Sequence, residues 1–193
     1  MEHVICSQMM NFFEENNILY DRQHSFRSKL SCETQLLEFS SDIFHNLRDD
    51  KQTDVVIMDF SKAFDKVCNA RLIYKLRREG VHPKICSWVQ SFLTGRTQKV
   101  LIEGESSETV SVTSGVPQGS VLGPLLFLVY INDMPENTKC ATIRLFADDT
   151  VAYLAVKCDN DCLKLQNDLK ALELWECDWL IEFHPDKCNI LCI

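Results

Sequence analysis

The sequence predicts an α+β fold, and three observations predict it. Segments whose apolar residues recur at helical period alternate with short runs rich in β-branched residues. A stretch that alternates loosely about Gly104 reads as a hairpin, which brings antiparallel pairing. Turn signals are spread along the 193 residues with no linker, repeat or low-complexity tract, so one unit is expected.

Residues 1–20 carry Glu2, Glu14 and Glu15 and no cleavage pattern, so they are not a secretory leader, and no element is assigned there. From Glu33 to Arg48, the positions Leu36, Leu37, Phe39, Ile43, Phe44 and Leu47 recur near helical period and predict an amphipathic helix. Thr53 to Asp59 holds the run Val-Val-Ile-Met and reads as a buried central strand. Residues 70–79 and 83–93 read as two further helices. Gln98 to Glu103 and Glu108 to Thr113 form the arms of the hairpin about Gly104. Val121 to Asn132 is an apolar helix that tolerates Pro124 in its first turn. Ala141 to Phe146 and Thr150 to Val156 are short strands around Ala147-Asp148-Asp149. Asn160 to Leu180 is a long amphipathic helix with Leu165, Leu169, Leu172, Trp175 and Trp179 on one side. Cys188 to Ile193 opens another strand.

Composition bounds the function classes. The chain is 46% apolar and 25% charged, an ordinary globular mix that argues against disorder. Its net charge of −8 argues against a strongly basic nucleic-acid-binding module. The ten cysteines are scattered, which reads as reduced thiols in an intracellular compartment and as packing thiols rather than zinc ligands. The longest apolar run, Val121 to Ile131, is too short to span a bilayer, so no membrane partner is expected.

Three carboxylates stand out by context. Asp59 ends an apolar strand, and Asp148 and Asp149 sit at the tip of a hairpin with apolar arms. Each alone has an ordinary explanation, as a helix cap or as turn chemistry. If the two elements neighbour each other in one sheet, the three charges gather at its edge and need protons or a divalent cation. The loop Ser114 to Ser120 has two glycines, a proline and a glutamine ahead of an apolar helix. Such a stiff turn with exposed amides suits an anion or a nucleotide, or serves as a plain connector.

Together the motifs resemble a known family. Asp59-Phe60-Ser61-Lys62-Ala63-Phe64-Asp65-Lys66-Val67 resembles the first palm motif of reverse transcriptases from non-LTR (LINE-class) retrotransposons. Ser114 to Phe127 is similar to the nucleotide-pocket motif, and Phe146-Ala147-Asp148-Asp149-Thr150 to the catalytic turn. Gln23-His24-Ser25-Phe26-Arg27, with Ser31, Gln35 and Leu36, resembles the fingers-to-palm motif. Trp175, Trp179, Phe183, Lys187 and Cys188 follow the pattern after the catalytic turn. The motifs occur in family order over roughly residues 18–193.

The resemblance implies a polymerase palm, an antiparallel sheet packed by helices, over 51–193, with a remnant of the fingers over 1–50 and no thumb. The whole is then a single partial domain over 1–193, truncated at both ends. It implies RNA-directed DNA polymerase activity with two Mg²⁺ ions, for which Mn²⁺ substitutes, on an RNA template with a DNA primer and dNTPs. Asp59, Asp148 and Asp149 would be catalytic metal ligands with the Phe60 carbonyl. Lys187 would protonate the departing pyrophosphate. Phe64 would be the steric gate, and Gln118 and Gly119 would meet the nucleotide. Asp65 is expected to be structural. Other parts of a retroelement polyprotein are expected partners.

The sequence departs from the family pattern at two places. Ser25 stands where the family has Gly, a cost if that position needs positive φ, and His184 replaces an Asn near the lysine. Without a thumb, the Trp175/Trp179 side of the last helix is expected to be exposed, and the chain by itself to extend a primer poorly. The competing reading is a catalytically inactive remnant of a retroelement that at most binds a partner.

Overall fold

A computed structural model describes all 193 residues. No element is predicted before Glu33, yet the chain opens with helix α1 (Glu2–Glu15), which buries Ile5, Met9 and Phe13, spaced four apart along one face. Helix α2 (Cys32–Arg48) starts on a reciprocal cap. The Ser31 hydroxyl accepts from the Thr34 amide, and the Thr34 hydroxyl accepts from the Ser31 amide. Strand β1 (Gln52–Met58) follows, then a single turn α3 (Ala63–Lys66), α4 (Asn69–Arg78) and α5 (Pro83–Leu93). Pro83 sits in the first turn of α5, where its missing N–H costs nothing.

The expected hairpin is present but split. Strands β2 (Arg96–Gln98) and β5 (Val110–Val112) pair at its base, and β3 (Leu101–Ile102) and β4 (Glu105–Ser106) at its tip. The tip loop, Glu103 and Gly104, has positive φ at both residues, 51° and 92°, the type I′ signature. This arm lies mostly in solvent, so the turn and not a buried face sets its register.

Helix α6 (Gly123–Ile131) is buried on almost every side, with Leu125 to Ile131 all inside. Strands β6 (Thr142–Phe146) and β7 (Asp149–Val156), helix α7 (Asp159–Trp179) and strand β8 (Asn189–Cys192) complete the chain. The main sheet is antiparallel, in the order β6-β7-β1-β8. β1 meets β7 from Gln52↔Val156 to Met58↔Thr150.

Strand alternation gives this sheet two unlike faces. Val56, Met58, Ile143, Leu145 and Ala152 enter a 33-residue core with α1 and α4 to α7. Val55 and Tyr153 turn the other way, to a small cluster with Ile43 of α2, flanked by Phe39, Ile57 and Val151. On that side Arg144 is buried and bonds Glu38 and Asp42 of α2 at 2.6 and 2.8 Å and the Tyr153 hydroxyl at 2.7 Å.

Four sequence-based expectations are corrected. The Trp175/Trp179 side of α7 is not exposed: Trp175 is 3% accessible and Leu165 and Leu172 are buried, because that stripe lies against β7 and the 3-10 turn Met134–Asn137. Trp179 is half-buried, with the Lys75 ammonium 3.6 Å from its ring centre. Only part of the apolar set that marks α2 in the sequence is covered: Ile43 and Phe39 turn to the sheet beside the Glu38/Asp42 side drawn to Arg144, while Leu37 and Phe44 are each left 70% exposed. Ser25 does not have positive φ; the left-handed residue is its neighbour Phe26, at 57°, so the missing glycine costs nothing there. Of the cysteines, only Cys86 is fully buried and six are exposed, so packing explains few of them. No helix is long and apolar enough to cross a membrane.

Candidate active site

Asp59 lies one residue beyond the last β1–β7 pair, Met58↔Thr150. Continuing that register sets it opposite Asp149, so the two carboxylates face each other across neighbouring strands. Phe146 pairs with Asp149, which leaves Ala147 and Asp148 as a two-residue loop. Ala147 has φ of 52° and Asp148 does not have positive φ, the pattern of a type II′ turn, whose first position favours glycine.

Asp59 is fixed from its other side. The His184 amide donates to the Asp59 carbonyl and the Ser61 amide to the Glu182 carbonyl, both at 2.7 Å. Phe60 and Phe183 thereby form a bridge, with their rings stacked 4.3 Å apart. This bridge leaves the Phe60 carbonyl unused. It also brings Lys187 round, so that its Nζ lies 2.5 Å from Asp59 Oδ2.

The four charged groups share one field. Burial pushes the Asp149 carboxyl above its usual range, Asp148 and Asp59 push it further, and Lys187 opposes them. The hydrogen bond and charge of Asp59 raise the Lys187 ammonium, with Asp148 and Asp149 adding to it. The carboxylate oxygens are hard donors, the type that hard divalent cations take. The donors are neighbours in one field rather than a closed cage: nowhere do three His, Cys, Asp or Glu side chains converge tightly enough to hold an ion. The cation that Asp59 engages is Lys187.

The glycine loop is docked beside this edge. The Gly115 amide donates to Val67, the Val116 amide to Phe64, and the Ser114 hydroxyl to the Asp65 carbonyl, at 2.8 to 2.9 Å. Arg96 donates to the carbonyls of Ser114 and Gly115. A Cβ on Gly115 would lie 2.8 Å from the Asp65 backbone, and one on Gly123 would lie 2.6 Å from the Pro117 carbonyl. Gly119 has nothing within 4 Å of that position and a φ of 80°. Two glycines therefore seat the loop, and the third leaves open backbone. Gln118 is exposed, with its Nε2 3.5 Å from Asp65 Oδ1, and Asp65 serves the loop. A polar cavity of about 390 Å³ lies between Asp65, Arg96, Ser114 and Gln118. Phe64 is half-buried and stacks on Phe127 at 4.5 Å, part wall and part core.

The structure thus gathers Asp59, Asp148, Asp149 and Lys187 at one end of the central strands β1 and β7, and Phe64, Gln118 and Gly119 around one loop. The two groups are joined through the short segment 60–63. The sequence pattern points neither to Arg96 nor to the His184 backbone. Neither carries a local signal, since both act through carbonyls that only the fold brings near.

Known proteins resemble this chain over nearly its whole length. The profile of the family described as "Reverse transcriptase (RNA-dependent DNA polymerase)" matches residues 1–192. The probable RNA-directed DNA polymerase from transposon BS of Drosophila melanogaster is 29% identical over 194 residues, covering 96% of this chain and 21% of that protein. The polymerase from mobile element jockey of the same organism is 29% identical, over 97% of this chain and 21% of its own length. The chain therefore spans about a fifth of the length of these curated relatives. A telomerase of Candida tropicalis, solved with a fragment of telomeric RNA, superposes with a TM-score of 0.70 at 12% identity. That match covers 98% of this chain and 33% of that one. At that identity the likeness shows the fold, a polymerase palm with fingers.

Proposed function

Because the chain belongs to the reverse transcriptase (RNA-dependent DNA polymerase) family, we propose that it is the palm, over 51–193, with part of the fingers, over 1–50, of an RNA-directed DNA polymerase. Its substrates are dNTPs and the 3′-hydroxyl of a DNA primer on an RNA template. The observation that carries the reading is the end of the central strands β1 and β7, where Asp59 faces Asp149 beside Asp148, with Lys187 as their cationic neighbour.

Asp59, Asp148 and Asp149, with the Phe60 carbonyl, would hold two Mg²⁺ ions. When bound, such ions lower the pKa of the attacking hydroxyl and neutralise charge on the leaving pyrophosphate. The chain supplies the rest. Lys187, raised by its carboxylate neighbours, keeps its proton at neutral pH and can hand it from Nζ to the departing oxygen. Gln118 and the open backbone at Gly119 receive the nucleotide. Phe64, buttressed by Phe127, closes the pocket under the sugar and disfavours a 2′-hydroxyl. The loop is seated by Gly115, Gly123 and Arg96, so the nucleotide meets a rigid surface, which lowers the cost of orienting it.

The test is Mn²⁺ binding, followed by water-proton relaxation, with primer extension on an RNA template as the second arm. Binding is expected in the native chain and a loss of at least about tenfold in Asp59→Asn and in Asp148→Asn. Native-like binding in both variants overturns the reading. Any extension seen is expected to vanish in the Asp148→Asn/Asp149→Asn double variant.

A further inference from the structure

The motif Gln23-His24-Ser25-Phe26-Arg27 is left without a task by the carboxylates and the glycine loop, although the segment is buried at Gln23, His24 and Ser25. In the fold it docks on the outer edge of β6. The Leu145 amide donates to the Arg22 carbonyl at 3.0 Å and the His24 amide to the Leu145 carbonyl at 3.2 Å, a parallel bridge centred on Gln23 and Leu145. β6 is one of the two edge strands of the sheet, so this segment satisfies backbone groups that would otherwise be unpaired.

The Gln23 side chain, only 2% accessible, reaches past the bridge to the Asp-Asp turn. Its Oε1 accepts from the Ala147 amide at 3.1 Å and its Nε2 donates to the Ala147 carbonyl at 3.3 Å. The same Oε1 accepts from the Ser25 amide at 3.0 Å, which fixes the amide group's orientation. Gln35 donates to the Leu145 carbonyl at 3.0 Å from the same side. Ala147 is the first residue of a two-residue loop, so both of its peptide groups lie outside the strand ladder and need partners. It also holds a left-handed φ of 52° without being glycine, which persists only where the surroundings impose it.

We infer that Gln23 is a positioning residue that clamps both sides of Ala147 and so fixes the direction in which Asp148 leaves the turn. The inference rests on the metal-ligand reading of Asp148 for its consequence, but the clamp itself is readable without metal. In sequence the motif falls between fingers and palm; the fold ties it to the reacting edge.

The experiment compares the native chain with Gln23→Met, which keeps the side-chain length and removes all three bonds. Amide exchange at Ala147, read by NMR without metal, is expected to speed up about tenfold, the effect of losing one hydrogen bond of ordinary net strength. Mn²⁺ affinity is expected to fall about tenfold as well. Adding Ala147→Gly is expected to restore most of that affinity, because glycine takes positive φ without a clamp; a packing role for Gln23 would not be rescued this way. Should Gln23→Met fail to fold, Gln23→Asn gives the same readouts, being polar but one methylene too short to span both Ala147 groups. Unchanged exchange at Ala147 in a folded variant overturns the clamp. Where the native chain binds Mn²⁺ better than Asp148→Asn does, so does faster exchange with unchanged Mn²⁺ affinity. If the native chain binds Mn²⁺ no better than Asp148→Asn does, the metal reading fails, and the exchange rate at Ala147 alone decides the clamp.

Discussion

The two faces of the main sheet are held by different physics. One faces a 33-residue apolar core built from α1 and α4 to α7. The other meets α2 through three buried residues and a charged group, Arg144 with Glu38, Asp42 and Tyr153. The first depends on area removed from water and on packing, and responds to cavities. The second depends on charge and hydrogen bonds, and responds to pH and salt. The site sits where the two meet, since β1 and β7 take part in both. A strand edge anchored by a rigid core on one side leaves the other side free to carry polar chemistry.

The sharpest way to break the contrast is to disturb the one charge pair inside the thick side. Lys75 Nζ lies 2.6 Å from Asp133 Oδ1, which also accepts from Trp175 Nε1 at 2.9 Å. Burial pulls the Lys75 ammonium down to about 8, against the opposing charge of Asp133. Asp133→Ala is expected to cost about 3–5 kcal/mol in chemical denaturation, because it strands a buried cation. The lowered value also fixes the sign of a pH effect. Above about 8 the folded chain loses this proton while the unfolded chain keeps it to about 10.5, so stability rises with pH across that window. A flat profile there, or one unchanged in Lys75→Met, refutes the assignment.

Leu126→Ala, in the fully buried helix α6, is expected to cost about 3 kcal/mol, nearly independent of salt. Arg144→Met, on the thin side, is expected to cost about 1–2 kcal/mol, since Glu38 and Asp42 are exposed enough to return to water. Burial alone would raise Asp42, but hydrogen bonds from Tyr153 and Arg144 hold it below its usual value. Its contribution is present above pH 3.8 and lost as pH falls below that. The native chain should therefore show an acid-labile, salt-sensitive increment that Arg144→Met lacks, measured by thermal melts between pH 2 and 6. An equal acid response in both would show that the two faces do not differ in this way.

The smallest effect is expected at the site. Asp149 is raised by burial and by its carboxylate neighbours, so its ionised form weakens the folded chain as pH climbs above 3.8. Asp149→Asn should therefore raise the melting temperature at pH 7 slightly, by about 1–2 °C in metal-free buffer. A fall would show that the carboxylate is held by favourable contacts instead.

Much of the fold is legible in the chain. Strand β1 announces itself by a β-branched run, α6 by unbroken apolarity, the tip of the hairpin by Gly104, and the carboxylate turn by polar residues between apolar arms. These are properties of neighbours in sequence, and steric and solvation rules act on them directly. Helix α1 carries a blurred signal, because its buried positions, Ile5, Met9 and Phe13, are flanked by other apolar residues, Val4, Cys6, Met10 and Phe12, with no cap to mark a start. Helix α2 is legible as a helix but not in its orientation: period identifies it, while Arg144, a hundred residues on, decides which face it buries. The types of residue at the site, three acids, a lysine and a glycine loop, all stand in the sequence itself. That Asp59 faces Asp149, that Lys187 reaches Asp59, and that Gln23 holds Ala147 were decided by strand register and by a docked edge segment. Those are contacts between residues far apart in the chain, and the local order of side chains carries no record of which distant partner the closed fold will supply.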